Sequence, residues 1–469
     1  MTAYPHRWLA LGFLVLAQFM IVLDVSILNV ALPSIERTFS LDVSSLQWIV
    51  TAYTLAFGGF LLLGGRAADL YGRRLVFVCG VIAFTGISFL IGLANSSTLM
   101  VPLRALQGLA AAFMSPAALS ILLTLFTEPD MRSRALSIWG AVSAGGATAG
   151  LLLGGFLTQY MSWRWNFFVN VPVGITVVIA ALQLLPAHVA EERTRTLDLP
   201  GAILITSGLM LLVYVLSQAH EWGWTALSTI SLLALSVLLI IGFVINESRA
   251  THPLMPLSIF RLGNVAAADL VQLPITASLF SMFFFLSLYV QNILGYSPLL
   301  SGLAFLPSTL TVGLSAILAP RIIHKVGYKA LIVIAPLFLA SGLFIFAHLP
   351  VHGQYVQDIL PGILIMAVGL GSAFVSIAIA ATAGVPGHES GLASGMLTTA
   401  QQLGGSLGLA ILASIVAAHG VPAGIPTTDQ IATIVDSYHT AFYTGMFFAL
   451  GASVIALLFI KSVPSNQGH

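Results

Sequence analysis

The stretch Gly65–Arg74, GRAADLYGRR, has a counterpart in Pro320–Lys329, PRIIHKVGYK, and the two align without a gap. The offset from position 65 to position 320 is 255 residues, which is more than half of the chain. Basic residues and a glycine recur at three aligned pairs of positions: Arg66 and Arg321, Gly72 and Gly327, and Arg74 and Lys329. Each stretch lies between two long apolar segments. One half of the chain therefore repeats the other in the same direction.

The composition places these halves in a membrane. Of the 469 residues, 58% are hydrophobic and 7% are charged, whereas roughly 25% of an ordinary soluble domain is charged. So few charges could not cover a water-soluble fold of this size. This excludes a soluble enzyme, a disordered chain and a nucleic-acid binder with a basic face. We expect a multi-spanning helical membrane protein.

Neither a metal site nor a cofactor site is predicted. The one cysteine, Cys79, excludes a disulfide framework and a cysteine-based metal site. The 11 histidines lack ligand spacings such as H-E-x-x-H. Lysine occurs at positions 325, 329 and 461, none of them within a phosphate-binding G-x-x-x-x-G-K-[ST] loop. We therefore expect neither an enzyme nor a protein that drives itself with ATP.

Hydropathy predicts the number of membrane spans, because a bilayer core requires about 20 mostly apolar residues per helix. Fourteen stretches meet this requirement: 8–32, 45–64, 75–94, 98–126, 135–159, 165–186, 199–218, 226–246, 265–294, 298–320, 330–349, 359–384, 391–418 and 438–461. With the N-terminus inside, 14 of the 17 Lys and Arg residues fall on the inner side. Cytoplasmic loops carry the excess of Lys and Arg. The asymmetry therefore predicts an even number of spans, in agreement with the fourteen stretches, in the cytoplasmic membrane with both termini in the cytoplasm.

The repeat divides these spans into groups of six, two and six. The predicted domains are an N-terminal six-helix half, 1–190, a two-helix insertion, 191–250, and a C-terminal six-helix half, 251–469. The most charged run, Glu191–Arg195, is interpreted as a solvated cytoplasmic linker. Parallel halves related by an axis along the membrane normal are known among transporters. We expect this all-α protein to work as a monomer in the lipid bilayer.

Three ionisable residues fall inside predicted spans, where a charge costs at least about 2.5–3.5 kcal/mol: Asp24, Arg104 and Asp269. Asp24 lies about eight residues, or ~12 Å, and Arg104 about six residues, or ~9 Å, from the outer ends of their spans. We expect these two to face each other across a central cavity, as a functional pair or as a structural ion pair. Asp269, near the inner end of span nine, is interpreted as a second titratable site, a gate partner or a residue that extends to the interface.

The stretch Gly65–Arg74 resembles the signature loop of the major facilitator superfamily, G-x-L-x-D-R-x-G-R-R. The matching residues are Gly65, Asp69, Gly72, Arg73 and Arg74. The loop has a glycine-bearing turn between two helices, and Asp69 can face the positive end of a neighbouring helix or an arginine. We expect the five residues to gate the cytoplasmic side; the alternative is that the arginines only enforce topology.

Further stretches resemble one branch of that superfamily, the fourteen-span drug:proton antiporters of the EmrB/QacA type. Residues 23–33, LDVSILNVALP, are similar to L-D-x-T-x-x-N-x-A-L-P, and residues 104–108, RALQG, to R-x-x-Q-G. Residues 163–174, WRWNFFVNVPVG, are similar to W-R-W-x-F-x-x-N-x-P-x-G. The resemblance implies a transporter that exports hydrophobic or cationic small molecules in exchange for protons by alternating access, without an organic cofactor.

Asp24 is predicted to carry the coupled proton, with Arg104 and Asp269 as the other proton-coupling residues. Burial and a neighbouring charge both change how readily a carboxyl group holds a proton. A conformational change that alters either can therefore load or release one. Arg104 would tune Asp24, hold its geometry or relay protons through water.

Polar residues in or near the spans are predicted to contact the substrate: Asn29, Gln107, Tyr289, Gln291 and Gln402. The alternative is that these side chains hydrogen-bond helices to one another. No pattern in the sequence separates the two interpretations.

The run Gly146–Gly155, GATAGLLLGG, resembles the antiporter motif G-x-x-x-G-P-x-x-G-G, with Leu151 at the proline position. Small residues every four positions let two helices pack closely, so the glycines of the motif are predicted to pack against another helix: Gly146, Gly150, Gly154 and Gly155. The kink that a proline adds to a helix is not expected here.

Two other classes of function stay open at this stage. The first is a transporter of one endogenous metabolite or lipid, working by export or by symport. The second is a membrane receptor or scaffold that transports nothing. A receptor or scaffold predicts large soluble extensions, whereas the predicted loops of this chain are short.

Overall fold

The computed structural model describes residues 6–185, 198–251, 253–386, 389–419 and 428–462, and no strand occurs in these ranges. Their α-helices are α1 (Arg7–Phe39), α2 (Val43–Tyr71), α3 (Arg73–Gly92), α4 (Ser97–Leu125), α5 (Pro129–Tyr160), α6 (Trp165–Phe168), α7 (Asn170–Leu184), α8 (Leu199–Trp222), α9 (Leu227–Arg249), α10 (Val265–Leu288), α11 (Pro298–Phe346), α12 (Leu360–Thr382), α13 (Ser390–Ala418) and α14 (Thr428–Phe459). A 3-10 helix, Leu257–Arg261, and two π-helical turns, Tyr289–Ile293 and Tyr355–Ile359, complete the helical structure. The predicted linker Glu191–Arg195 lies outside the described residues.

Within the described ranges, 13 helices are long and apolar enough to cross a membrane. Each predicted span overlaps one of them, but spans ten and eleven both fall in α11, which has 49 residues. At 1.5 Å per residue a helix of that length measures about 73 Å, more than twice the ~30 Å core of a bilayer. Gly327 interrupts α11 with a φ of 80°, which is not helical.

The repeated stretches have the same backbone feature. Gly72, between α2 and α3, has a φ of 98°, and its aligned partner Gly327 has a φ of 80°. Residues with a side chain rarely adopt a positive φ, whereas glycine does so readily. The glycine in each repeat is therefore where one apolar helix ends and the next begins.

Alanine at Gly327 is expected to destabilise the protein, whereas alanine at Gly313 in the same helix is not. An added Cβ meets no atom of the described residues within 4 Å at either position, so the pair isolates the effect of backbone conformation. The φ of 80° and ψ of 157° at Gly327 are essentially restricted to glycine and cost a residue with a side chain about 1–3 kcal/mol, while alanine in place of a helical glycine gains about 0.5–1 kcal/mol. Thermal unfolding in detergent should show a lower midpoint for G327A than for G313A. Equal midpoints would mean that residue 327 does not hold this conformation.

Side-chain caps determine where two of the site-bearing helices begin. The Asp42 carboxylate accepts a hydrogen bond from the Ser45 amide at 3.1 Å, and the Ser96 hydroxyl accepts one from the Leu99 amide at 3.3 Å. Each cap satisfies one of the backbone N–H groups that the start of a helix leaves without a partner. The starts of α2 and α4 are thereby fixed.

The chain forms two compact units. The first contains α1 to α9 together with Val290–Leu306, and the second contains α10, the part of α11 that follows residue 306, and α12 to α14. In the first unit α4 packs along α2 and α3, α1 packs along α5, and α7 contacts α1 and α3. In the second unit α10 packs along α13 and α14. The candidate site lies in the buried core of the first unit, where α1, α2, α3, α4 and α7 meet.

Candidate functional site

An ion pair joins α1 to α4 in the interior of the first unit. Arg104 Nη1 donates to Asp24 Oδ2 at 2.6 Å, and the two side chains are 1% and 0% exposed. The predicted central cavity does not separate them; they are in direct contact within packed protein. Direct contact is favoured because an isolated charge is costly to bury, whereas a paired and hydrogen-bonded charge costs much less.

The second oxygen of Asp24 is held by two amides. Asp24 Oδ1 accepts a hydrogen bond from Gln107 Nε2 at 2.9 Å and another from Asn170 Nδ2 at 3.0 Å. Together with Arg104, these donors give the carboxylate three hydrogen bonds from two helices, α4 and α7. The carboxylate is therefore well solvated by protein, although no solvent reaches it.

Arg104 has neutral partners besides Asp24. Its Nε donates to the carbonyl oxygen of Ile49 at 3.1 Å, and Nη1 also donates to Gln107 Oε1 at 2.6 Å. The guanidinium lies 4.4 Å from the ring centre of Tyr53 and 5.8 Å from that of Phe167. Aromatic ring faces attract cations, so Arg104 is stabilised by a carbonyl, an amide oxygen and two rings in addition to Asp24.

Ser88 of α3 completes the network. Its hydroxyl oxygen accepts a hydrogen bond from Gln107 Nε2 at 2.7 Å and lies 3.5 Å from Asn170 Nδ2. Neither Ser88 nor Tyr53 was predicted as a site residue, because a serine or an aromatic residue in an apolar span has no local signal for such a role. Their contribution depends on which helix faces which.

The predicted substrate contacts are divided between the two units: Asn29, Gln107 and Gln291 belong to the first, and Tyr289 and Gln402 to the second. Gln107 is fully buried in the network around Asp24. Asn29 is half-buried in α1, and Gln402 is half-buried in α13. The buried Gln291 donates its side-chain amide to a backbone carbonyl of α1 at 2.9 Å. In the second unit the hydroxyl of Tyr289, itself buried, donates to a backbone carbonyl at 2.6 Å.

Asp269 is in a different environment from Asp24. It is half-buried in α10, in the second unit, and its Oδ1 is buried without a hydrogen-bond partner among the described residues. One turn later, the buried Nε2 of Gln272 also has no partner in that part of the chain. Asp269 therefore belongs to the second unit, whereas the ion pair belongs to the first.

The predicted gating residues surround the break between α2 and α3. Asp69 and Arg73, at positions i and i+4, form an ion pair in which Arg73 Nη2 lies 3.4 Å from Asp69 Oδ1. The Asp69 side chain is 56% exposed. Arg74 Nη2 donates to the carbonyl oxygen of Leu182 at the end of α7, at 2.5 Å. Gly65 is half-buried, and Gly72 supplies the positive φ between the two helices.

An acidic residue that the sequence analysis did not place within a span is also buried. The prediction ended span one at residue 32, whereas α1 continues to Phe39 and buries Glu36. Glu36 Oε2 accepts a hydrogen bond from Asn292 Nδ2 at 2.8 Å, and Arg37 donates to Asn292 Oδ1 at 3.0 Å. The helix therefore extends beyond the predicted end of span one, and the Glu36 carboxylate is buried by pairing with the Asn292 amide.

The four motif glycines of α5 lie where other segments approach closely. A Cβ at Gly150 would lie 2.7 Å from Ser26 Cβ, and one at Gly154 would lie 2.6 Å from Ile27 Cγ1, both in α1. Gly146 faces Phe19 and Val22 of the same helix, while Gly155 faces Pro298 and Leu299 at the start of α11. α5 thus packs on α1 along the segment that carries Asp24.

Leucine at Gly150 is expected to destabilise the protein by about 1–3 kcal/mol, the usual cost of forcing extra atoms into a packed interface. Leucine at Gly140, in the same helix, serves as the matched control, because an added Cβ there meets nothing within 4 Å. The thermal unfolding midpoint in detergent should fall for G150L and stay close to wild type for G140L. An unchanged midpoint for G150L would mean that α1 and α5 do not pack this closely.

Charges buried this deeply among membrane-length helices are typical of transporters, and comparison with known proteins places the chain in that class. The chain belongs to the Major Facilitator Superfamily, whose family model matches residues 14–409. The family predicted from the loop and span motifs is therefore confirmed.

Several relatives align over nearly the whole chain. The puromycin resistance protein of Streptomyces alboniger is 39% identical, over 98% of this chain and 92% of that protein. The cephamycin export protein of Amycolatopsis lactamdurans is 38% identical, over 94% of this chain and 90% of that protein. Among solved structures, a bacterial homologue of the human lysosomal transporter Spinster in an inward-facing, occupied conformation superposes with a TM-score of 0.70 at 15% identity, covering 98% of both chains. That likeness shows the fold.

Proposed function

We propose that this protein exports small hydrophobic or cationic compounds in exchange for protons, by alternating access. The observation that carries the proposal is the buried network around Asp24 and Arg104. Ionisable groups inside a membrane protein are expensive to maintain and commonly mark proton or substrate pathways. The names of the relatives, a puromycin resistance protein and a cephamycin export protein, support export of small molecules.

In the proposed cycle Asp24 takes a proton from a hydronium ion, which leaves as water. The new O–H bond removes the negative charge, so the ion pair with Arg104 is lost. Arg104 keeps the Ile49 carbonyl at 3.1 Å, the Gln107 amide oxygen at 2.6 Å and the ring of Tyr53. The arginine is thus partnered in both protonation states, while the attraction between α1 and α4 changes. Proton binding is thereby coupled to helix packing.

The other predicted residues receive separate roles in this proposal. Gln107 orients the ion pair, because its side-chain hydrogen bonds join it to Asp24, Arg104 and Ser88. Four residues remain proposed substrate contacts: Asn29, Tyr289, Gln291 and Gln402. Asp269, which has a carboxylate oxygen without a hydrogen-bond partner among the described residues, is proposed as a second protonation site. The loop at Asp69 and Arg73 is proposed to gate the cytoplasmic side.

We further propose fourteen spans, with α11 crossing the cytoplasmic membrane twice on either side of Gly327. The spans are grouped as six, two and six, in the domains 1–190, 191–250 and 251–469, with both termini in the cytoplasm. The length of α11 and the positive φ of Gly327 support the count. The protein is proposed to act as a monomer.

A second candidate is export of one particular compound instead of many. Two of the relatives are each named for a single substance, puromycin or cephamycin. Such a transporter would have the same proton chemistry at Asp24 and a more selective substrate site. The two candidates differ only in the range of compounds transported.

Reconstitution in liposomes tests both candidates. With an acidic lumen and a neutral exterior, an antiporter should accumulate a permanent cation such as ethidium, because protons leave as the cation enters. A protonophore should abolish the accumulation, and protein-free liposomes should show none. Uptake that requires an acidic exterior would indicate symport and contradict the proposal. Adding puromycin and a cephamycin to the panel, each measured separately, distinguishes a broad range from a single substrate.

A further inference from the structure

A protonated Asp24 needs a hydrogen-bond acceptor that the ionised form does not need. This inference rests on the proposed protonation of Asp24. In the ionised form the carboxylate only accepts, from Arg104, Gln107 and Asn170. Protonation turns one oxygen into a donor. Asp24 is 0% exposed, so this donor cannot turn to water, and a buried donor without an acceptor is costly.

Gln107 is poorly suited to accept the new hydrogen bond. Its amide oxygen already accepts from Arg104 Nη1 at 2.6 Å, and its nitrogen donates to both Asp24 and Ser88. Rotating the amide by 180° would exchange oxygen and nitrogen and place N–H groups against the guanidinium, which has donors only. Arg104 therefore fixes the orientation of Gln107.

Asn170 has no such constraint. Its Nδ2 donates to Asp24 Oδ1 at 3.0 Å and lies 3.5 Å from Ser88 Oγ, whereas its buried Oδ1 has no hydrogen-bond partner among the described residues. The residue is 1% exposed. Rotating this amide by 180° breaks no bond to Oδ1 and turns an acceptor toward both Asp24 and Ser88. The Ser88 hydroxyl can follow, because a hydroxyl both donates and accepts.

We propose that the Asn170 amide reverses when Asp24 gains its proton, so that Asn170 donates to the carboxylate and accepts from the carboxylic acid. Asn170 is thus a positioning residue that stabilises each protonation state of Asp24 in turn. Among the described residues, two ionisable groups interact electrostatically with Asp24: Arg104 of α4 and Tyr53 of α2. Neither provides this acceptor, since Arg104 has donors only and the buried Tyr53 hydroxyl forms no hydrogen bond with Asp24 or any other described residue.

The placement of Asn170 connects this reversal to other helices. Asn170 is the first residue of α7, Ser88 belongs to α3 and Asp24 belongs to α1. Protonation of Asp24 in α1 therefore changes the hydrogen bonds of Ser88 in α3 and Asn170 in α7. Arg104 and Gln107, both in α4, keep the hydrogen bond between them. The network separates into a fixed part, on α4, and a part that reverses, at Asn170.

Infrared difference spectra between high and low pH, recorded on the reconstituted protein, test this inference. The C=O band of protonated Asp24 is identified by its absence in Asp24→Asn. Because a carboxylic acid that donates a hydrogen bond absorbs at lower wavenumber, Asn170→Leu should shift this band to higher wavenumber. Asn166→Leu is the matched control, since Asn166 is also buried and its Oδ1 has no partner in the described part of the chain, but it donates to Thr158 instead of Asp24.

A second measurement leaves Asn170 intact. With asparagine labelled by ¹³C at the side-chain carbonyl, one asparagine band of the wild-type protein should move to lower wavenumber at low pH. That change should disappear in Asp24→Asn. An Asp24 band that Asn170→Leu does not shift, or an unchanged asparagine band while Asp24 is protonated, would overturn the inference and leave the proposed function standing. Absence of any Asp24 band would overturn the proposed function, and this inference with it.

Discussion

Asparagine in place of Asp24 is expected to abolish transport driven by a pH gradient while the protein remains folded. Asparagine has nearly the same shape and retains an oxygen that accepts hydrogen bonds, but it cannot bind or release a proton. Arg104 keeps its bonds to the Ile49 carbonyl and the Gln107 amide. In liposomes with an acidic lumen, accumulation of a permanent cation should fall to the level of protein-free liposomes.

Asp436→Asn is the matched control for this loss. Asp436 is an exposed carboxylate of α14 in the second unit, so removing its charge disturbs no buried network. D436N should accumulate the cation as the wild type does, and both variants should elute as folded protein in detergent. If D24N accumulated the cation fully under the same gradient, Asp24 would not be the proton carrier.

Leucine in place of Arg104 is expected to be strongly destabilising. The substitution leaves the Asp24 carboxylate buried without its counter-charge, and removing one partner of a buried pair typically costs about 3–5 kcal/mol. It also leaves the Ile49 carbonyl without its donor. The thermal or denaturant midpoint in detergent should fall well below that of the wild type. Adding Asp24→Asn to Arg104→Leu should recover part of the loss, because the buried charge is then absent.

The exposed pair of Asp69 and Arg73 provides the comparison for Arg104. Its atoms are 3.4 Å apart and both side chains reach solvent, so Arg73→Leu should cost no more than about 0.2–1 kcal/mol. Comparing the loss of stability in Arg104→Leu with that in Arg73→Leu therefore separates the effect of burial from the effect of removing a charge. An Arg104→Leu variant as stable as Arg73→Leu, or a double variant less stable than Arg104→Leu, would show that the buried charges do not depend on each other.

Predictions from the sequence succeeded where the signal is local. A run of about 20 apolar residues shows in the sequence as a membrane-length helix, and each predicted span overlaps such a helix. The aligned glycines 72 and 327 both have a positive φ. The burial of Glu36 shows the limit of this approach, because hydropathy along the chain does not reveal that the Asn292 amide pairs with this carboxylate.

The amino-acid sequence by itself determined that this is a membrane protein of the Major Facilitator Superfamily, and it singled out Asp24 and Arg104 as charges inside the apolar spans. Composition, hydropathy and motif spacing depend only on the order of residues along the chain, so they can be assessed without knowing how the helices pack. Only the tertiary structure decided which neutral residues form the hydrogen-bond network around that pair. Ser88, Gln107 and Asn170 come from three helices, and Asn170 lies 146 positions along the chain from Asp24. Their meeting depends on how each helix is rotated and packed, since a polar side chain in an apolar span is satisfied by whichever neighbour the fold turns toward it.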